Sequence, residues 1–175
     1  LYLLWDLRLK IGHSTRSITE SIAAGRYDQT IMTSFLEMRH VCGNVPLWIK
    51  LSTALRNEIG KNKPLTFVEK KLAERDLRHK RFDDTRYVVE PNVKDGKGGL
   101  RDLHSLFWIA KYAYRADSIM DVLEQGVLRD AEARRFASAQ RFLWTVRCHL
   151  HFHAGRAEER LDFDCLLYTS PSPRD

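Results

Sequence analysis

The sequence has few cysteines and no long apolar run. Its three cysteines among 175 residues have no regular spacing, which excludes a disulfide framework or a zinc site and indicates a reducing compartment. No apolar segment approaches membrane-spanning length and 30% of the residues are charged, so we expect a soluble, cytoplasmic protein with no membrane partner. The chain begins with Leu1 in an apolar run, without Met or a signal peptide, which predicts a piece of a longer protein.

The sequence also lacks a visible acidic cluster for metal-dependent transfer chemistry. Such enzymes use a pair or triad of carboxylates to hold two magnesium ions, and no such pattern is evident. Asp6 lies in the apolar first segment, where a buried acid needs an ion-pair partner or a functional role. We favour a structural pair with Arg8 or Arg16 over catalysis for Asp6. Asp162 and Asp164 are interpreted as a solvated loop pair rather than as metal ligands.

Three histidines, His149, His151 and His153, cluster near a predicted helix end. His149 and His153 lie one helical turn apart, as two metal ligands would. No acid of the HExxH kind and no Cys or Asp at ligand-like spacing accompanies them. We therefore favour histidines near the negative end of a helix dipole, and predict no metal-binding residues in this chain.

The formal net charge is +6, which raises the question of nucleic acid as a partner. The basic residues are spread through the chain and interleaved with acids, as in Glu69-Lys70-Lys71. Such interleaving is typical of solvated helical faces with a modest preference for anionic ligands. We therefore expect no nucleic-acid partner.

Nearly all of the hydrophobic periodicity is helical, which predicts a mainly α-helical array. Residues 1–11 are apolar enough for a buried helix, and His13 to Ile18 is predicted as a short strand. Helix starts are predicted at two capping boxes, at single capping residues and at a first-turn proline: Ser17–Glu20, Thr66–Glu69, Asp28, Ser118, Asp130 and Pro46.

The most informative stretch reads EPNVKDGKGGLRDLHSLFW, from Glu90 to Trp108. Its glycine-rich half leads at Leu100 into a helix predicted to end near Tyr114. Gly98 and Gly99 would let an anion approach the backbone, the first free N–H groups of the helix would face it, and Lys94, Lys97 and Arg101 would add positive charge. The alternative is a tight turn with solvated lysines, in which Arg101 pairs with Glu90 or Asp102.

The last eleven residues, 165–175, read CLLYTSPSPRD and break with the preceding pattern. No capping signal or apolar period connects them to the rest, and they look like the translation of a sequencing adapter. We therefore predict that this segment is not native and exclude it from the fold.

Five segments, taken together and in order, resemble one family, that of the bifunctional PII uridylyltransferases and uridylyl-removing enzymes of bacterial nitrogen signalling. The resemblance covers essentially Leu1 to Asp164. It rests on YVVEPNVKDGKGGLRDLHSLFWIAKY, LLWDLRLKIGHSTRS, TSFLEMRHVCG, ERDLRHKRFDDTRY and FLWTVRCHLHFHAGRAEERLDFD. Glutamine-synthetase adenylyltransferases share a similar central loop and are an alternative, as is a non-catalytic helical module that binds a regulatory protein or RNA.

The resemblance implies a domain layout and an activity. Residues 1–25 would be the end of a polymerase-β-like nucleotidyltransferase domain, with a short strand remnant, and residues 26–164 the helical region after it. The intact enzyme would use Mg²⁺ to transfer UMP from UTP to a tyrosine of the PII protein, and would remove it when glutamine, the effector, is plentiful. Its metal-binding acids would lie outside this chain, which we expect to be inactive alone.

The resemblance also implies site residues. Lys94, Gly98, Gly99 and Arg101 would meet the nucleotide phosphates or lock the helical region onto the transferase domain. Arg16, in the sequence GHSTRS with His13, would border the transferase site, and Asp6 is the candidate for a remaining catalytic acid.

Overall fold

The computed structural model describes residues 2–61, 63–82, 90–116, 118–163 and 165. The chain divides into two compact units, Leu1–Lys61 and Asn62–Asp175. Among the described residues, the first unit contains α1 to α4 and the second contains α5 to α8. The helices are α1 (Tyr2–Asp6), α2 (Ile18–Tyr27), α3 (Gln29–Leu36), α4 (Val45–Lys61), α5 (Pro64–Arg81), α6 (Leu100–Tyr114), α7 (Ile119–Glu124) and α8 (Asp130–Ala154).

In the first unit α2 packs against α3 and α4. Ser17 and Glu20 form the predicted capping box at the start of α2, and the Asp28 side chain caps α3. Glu58 on α4 is only 5% exposed and accepts two hydrogen bonds from Arg26 on α2, at 2.5 and 2.7 Å. This ion pair satisfies a buried carboxylate that would otherwise be costly to bury.

The first seventeen residues differ from the prediction. Residues 11–17 have no regular secondary structure and Ile18 already begins α2, so the expected strand over His13 to Ile18 is not observed in the described part of this unit. The expected buried helix is also wrong: α1 has five residues, and Tyr2 and Leu3 are 81% and 71% exposed.

In the second unit α6 is the central helix, which contacts α5, α7 and α8. Phe67 on α5 stacks on Tyr112 of α6 with ring centres 3.9 Å apart. Leu100 at the start of α6 and Val122 on α7 are almost completely buried. Burial of such side chains contributes about 1.5–3 kcal/mol each, so the start of α6 is fixed in the core of this unit.

A second apolar cluster joins the segment before α6 to α8. Val93, Leu150 and Cys165 are buried together, with Val146 and Leu161 packed against them. The segment also pairs with the chain after α8 through an isolated antiparallel bridge between Asn92 and Arg160. The residues leading into α6 are therefore held from two sides.

The mainly helical fold is confirmed, and several helix ends are as predicted. Ser118 caps α7 through a capping box, and α6 has the expected bounds. The capping box predicted at Thr66–Glu69 is wrong because Pro64 already starts α5. The proposed non-native tail lies, apart from Cys165, outside the described residues. None of the described helices is both long enough and apolar enough to cross a membrane.

Candidate functional site

Asn92 organises the turn that begins the glycine loop, residues 92–99. Its Oδ1 accepts hydrogen bonds from the N–H groups of Lys94, at 3.0 Å, and Asp95, at 2.7 Å. Its carbonyl oxygen accepts another from the N–H of Gly96, at 3.0 Å. Asparagine favours such turns because its short side chain reaches nearby backbone groups. The loop therefore holds its shape through its own contacts.

The three glycines of the loop are required for two different reasons. A Cβ on Gly96 would lie 2.5 Å from the carbonyl oxygen of Asn92, and one on Gly99 would lie 2.9 to 3.0 Å from three carbonyl oxygens. Gly98 instead has open space around it and a φ of +81°, a left-handed conformation that favours glycine. Close backbone packing and one tight turn therefore explain these glycines.

The N–H groups at the start of α6 are occupied by the loop. Leu100 donates to the carbonyl of Val93 at 3.0 Å, and Arg101 donates to the carbonyl of Lys94 at 2.8 Å. Asp102 donates to Gly99 at 3.0 Å. The expectation of free helix-start N–H groups facing an anion is therefore wrong, because loop carbonyls satisfy the donors that a helix start usually leaves open.

Lys94 and Arg101 lie at the loop with partial access to solvent. Lys94 Nζ is 3.6 Å from Glu159 Oε1 and 4.0 Å from Asp95 Oδ2. Arg101 Nε is 3.5 Å from Asp95 Oδ1, which is a long contact, and the guanidinium lies 6.0 Å from the centre of the Trp108 ring. The side chains of Lys94 and Arg101 are 32% and 35% exposed. Both cations thus retain a face on which an anion can be bound.

Asp102, in the first turn of α6, connects α5 to the glycine loop. Arg78 Nη2 donates to its Oδ1, and His79 Nε2 lies 2.9 and 3.0 Å from its two oxygens. The N–H of Gly98 donates to Oδ2 at 2.8 Å. The Arg78, His79 and Asp102 side chains are 11%, 9% and 20% exposed. The carboxylate of Asp102 thus binds α5 and the loop, and it is not the partner of Arg101.

Glu159, after α8, forms the second ion network of the loop. Arg147 on α8 donates to both of its oxygens, at 2.7 Å each, and the backbone carbonyl of Glu159 accepts from the N–H of Val93 at 2.8 Å. Burial acts to raise the pKa of Glu159, but the hydrogen bonds and charge of Arg147, with Lys94 and His151, lower it overall. The carboxylate therefore stays charged and fixes the loop to α8.

The other candidate residues lie on α1, before α2 and after α8. Asp6 is the last residue of α1 and is exposed, so the premise that it is a buried acid is wrong. Arg16 is exposed and donates to Ser14 Oγ at 2.9 Å. Asp162 accepts from the N–H of Cys165 at 2.8 Å. Within the described ranges, no group of three His, Cys, Asp or Glu residues is arranged to hold a metal ion.

Sequence reasoning missed the inner face of α5. The apolar residues Val68, Leu72 and Ala73 would suggest a different inner face, but the structure buries Phe67, Lys71 and His79. The signal was the spacing of four residues from Phe67 to Lys71 and of eight from Lys71 to His79, which keeps neighbouring positions on one side of the helix. It was overlooked because two of the three residues are polar.

The described residues of the second unit thus define a helical domain in which a glycine loop is fixed between two ion networks. Residues 66–170 match the family model described as GlnD PII-uridylyltransferase. The chain belongs to this family, which confirms the resemblance seen in its sequence. No solved structure matches the chain.

Curated relatives of the chain are uridylyltransferases by name. The chain is 54% identical over 164 residues, 94% of its length, to the bifunctional uridylyltransferase/uridylyl-removing enzyme of Bradyrhizobium sp. (strain ORS 278). It has the same identity over the same length to the enzyme of that name from Bradyrhizobium diazoefficiens. The chain spans 18% of the length of each relative.

Proposed function

We propose that this chain is the helical region of an enzyme that transfers UMP from UTP to a tyrosine of the PII signalling protein and removes it again by hydrolysis. The observation that carries the proposal is the 54% identity over 94% of the chain to bifunctional uridylyltransferase/uridylyl-removing enzymes. In the complete enzyme, glutamine is the effector that selects removal.

The reacting groups of this enzyme are assigned to parts outside the helical region. The proposal includes Mg²⁺, which would neutralise the triphosphate in the complete enzyme. The residues that the structure describes offer no cluster of three ligands for this ion, so they do not form its binding site. We expect the 175-residue chain alone to be inactive.

Within this chain, we propose that the glycine loop contributes cations to the nucleotide site. Gly98 and Gly99 shape the loop, while Lys94 and Arg101 supply the charge. The contact to Asp95 is long and the side chain is about one third exposed, which allows Arg101 to form a two-point contact with a phosphate. Arg16 is proposed to border the transferase site of the complete enzyme, and Asp6 to be its candidate acid.

The test is the rate of UMP incorporation into PII by the complete enzyme that contains this segment, with UTP and Mg²⁺. Arg101→Ala is expected to lower kcat/KM by about 30-fold, equivalent to about 2 kcal/mol, because a charge-assisted contact is lost. Arg101→Lys is expected to recover part of the loss, since the charge remains but the planar fork does not.

Arg134→Ala is the matched control, because Arg134 is an exposed arginine on α8 away from the loop. Normal transfer by a correctly folded Arg101→Ala enzyme would remove Arg101 from the nucleotide site. Failure of the unmodified enzyme to label PII would refute the proposed activity itself.

A further inference from the structure

A cleft of about 690 Å³ lies between α5 and α6. This volume is in the range of small-molecule sites, about 300–1,000 Å³. One part of its lining is apolar and comes from Leu72, Leu106 and Ile109. The other part is basic and comes from Lys71, Arg75, Lys80 and Lys97.

Positive charge predominates among the described residues that line the cleft. Four of them are Lys or Arg and two are acids, Asp76 and Asp102. Asp76 is held by Arg75 through contacts of 2.8 and 2.9 Å, and this hydrogen bonding lowers the pKa of Asp76. Asp102 is held by Arg78 and His79, as described above. Both acids are therefore already paired with neighbouring arginine or histidine side chains.

Lys71 is an unusual residue for a cleft wall. Its side chain is only 3% exposed, and its ammonium donates to Glu74 Oε2 at 2.7 Å, although Glu74 is itself 49% exposed. The ammonium also lies 5.1 Å from the centre of the Trp108 ring. A buried ammonium is costly unless it is well paired. An anion in the cleft would add a second charged partner.

We propose that the α5–α6 cleft binds a small organic anion. Its apolar body would contact Leu72, Leu106 and Ile109, and its phosphate, sulfonate or carboxylate group would lie among the basic side chains, near Lys71 and Lys80. Ligand sites commonly combine an apolar wall with a few charged groups, which fix the orientation of the bound ligand. This site goes beyond the proposed uridylyl transfer and does not depend on it.

The probe is 1-anilinonaphthalene-8-sulfonate, which joins an apolar ring system to one anionic group. It is titrated into the ¹⁵N-labelled 175-residue chain, with affinity measured by fluorescence and location by amide chemical shifts. Saturable binding is expected to shift the amides of residues 71–80 on α5 and 105–109 on α6. Lys80→Glu is expected to weaken binding about tenfold, since one attraction becomes a repulsion.

Two controls separate this site from nonspecific apolar binding. Lys70→Glu makes the same charge change on an exposed residue of α5 outside the lining, and is expected to change the affinity by less than about twofold. N-phenyl-1-naphthylamine has the rings without the sulfonate, and is expected to bind more weakly and to be unaffected by Lys80→Glu.

Three results would overturn the proposal. The first is an equal weakening of binding by Lys80→Glu and Lys70→Glu. The second is an equal affinity for the two probes. The third is a set of amide shifts confined to the exposed apolar face of α8 around Trp144 and Phe152. Because the readout involves no nucleotide transfer, such a failure would leave the proposed activity intact.

Discussion

Replacing Asp102 by Ala is expected to lower the free energy of unfolding of the 175-residue chain by about 3–5 kcal/mol. The Asp102 carboxylate is the shared partner of Arg78 and His79, whose side chains are 11% and 9% exposed. Removing one member of a buried ion network leaves the others desolvated without a counter-charge, which is strongly destabilising. The Gly98 N–H also loses its acceptor. Urea unfolding followed by circular dichroism measures the loss.

Asp130→Ala is the matched control for this prediction. Asp130 is an exposed acid in the first turn of α8, so its replacement removes the same charge near a helix start and is expected to cost less than about 1 kcal/mol. If the Asp102 and Asp130 variants unfold at the same urea concentration, Asp102 does not hold α5 to the loop.

Gly96→Ala and Gly99→Ala are each expected to destabilise the chain by about 3 kcal/mol, because the new methyl group would overlap backbone that cannot move aside. At Gly96 the Cβ would lie 2.5 Å from a carbonyl oxygen, and at Gly99 it would meet three carbonyl oxygens within 3.0 Å. Thermal unfolding of the three single variants, with Gly98→Ala as the third, measures the effect.

Gly98→Ala is the internal control because its Cβ would meet nothing within 4 Å. Its cost is that of a left-handed conformation alone, about 1 kcal/mol. A larger loss at Gly98 than at Gly96 and Gly99 would contradict the closely packed loop.

Local signals predicted several helix starts because a cap involves residues only a few positions apart. Ser17 and Ser118 each bond to an acid three residues later, and Asp28 bonds to the next residues in the chain. Thr66 had the same spacing, but the proline at position 64 fixes an earlier start. A capping pattern inside a helix therefore misleads when a stronger signal precedes it.

The ion networks could not be predicted in the same way. Asp102 meets Arg78 and His79 across 24 and 23 positions, and the sequence does not indicate which of many cations packs against it. The glycine loop and the bounds of α6 followed from composition and periodicity. The hydrogen-bond partners of the first N–H groups of α6 could not be predicted from composition or periodicity, because those partners are the carbonyls of Val93 and Lys94 in the loop.

Hydrogen exchange at the start of α6 distinguishes a closed glycine loop from an open one. In the closed loop the side chains, and not the backbone, are available to anions. In the ¹⁵N-labelled chain, the amides of Leu100 and Arg101 are predicted to exchange as slowly as those in the middle of α6. Addition of inorganic phosphate is predicted to leave these rates unchanged. Unprotected exchange at Leu100 and Arg101 beside a protected helix centre, slowed by phosphate, would show that the loop backbone is open to anions and would contradict the closed loop.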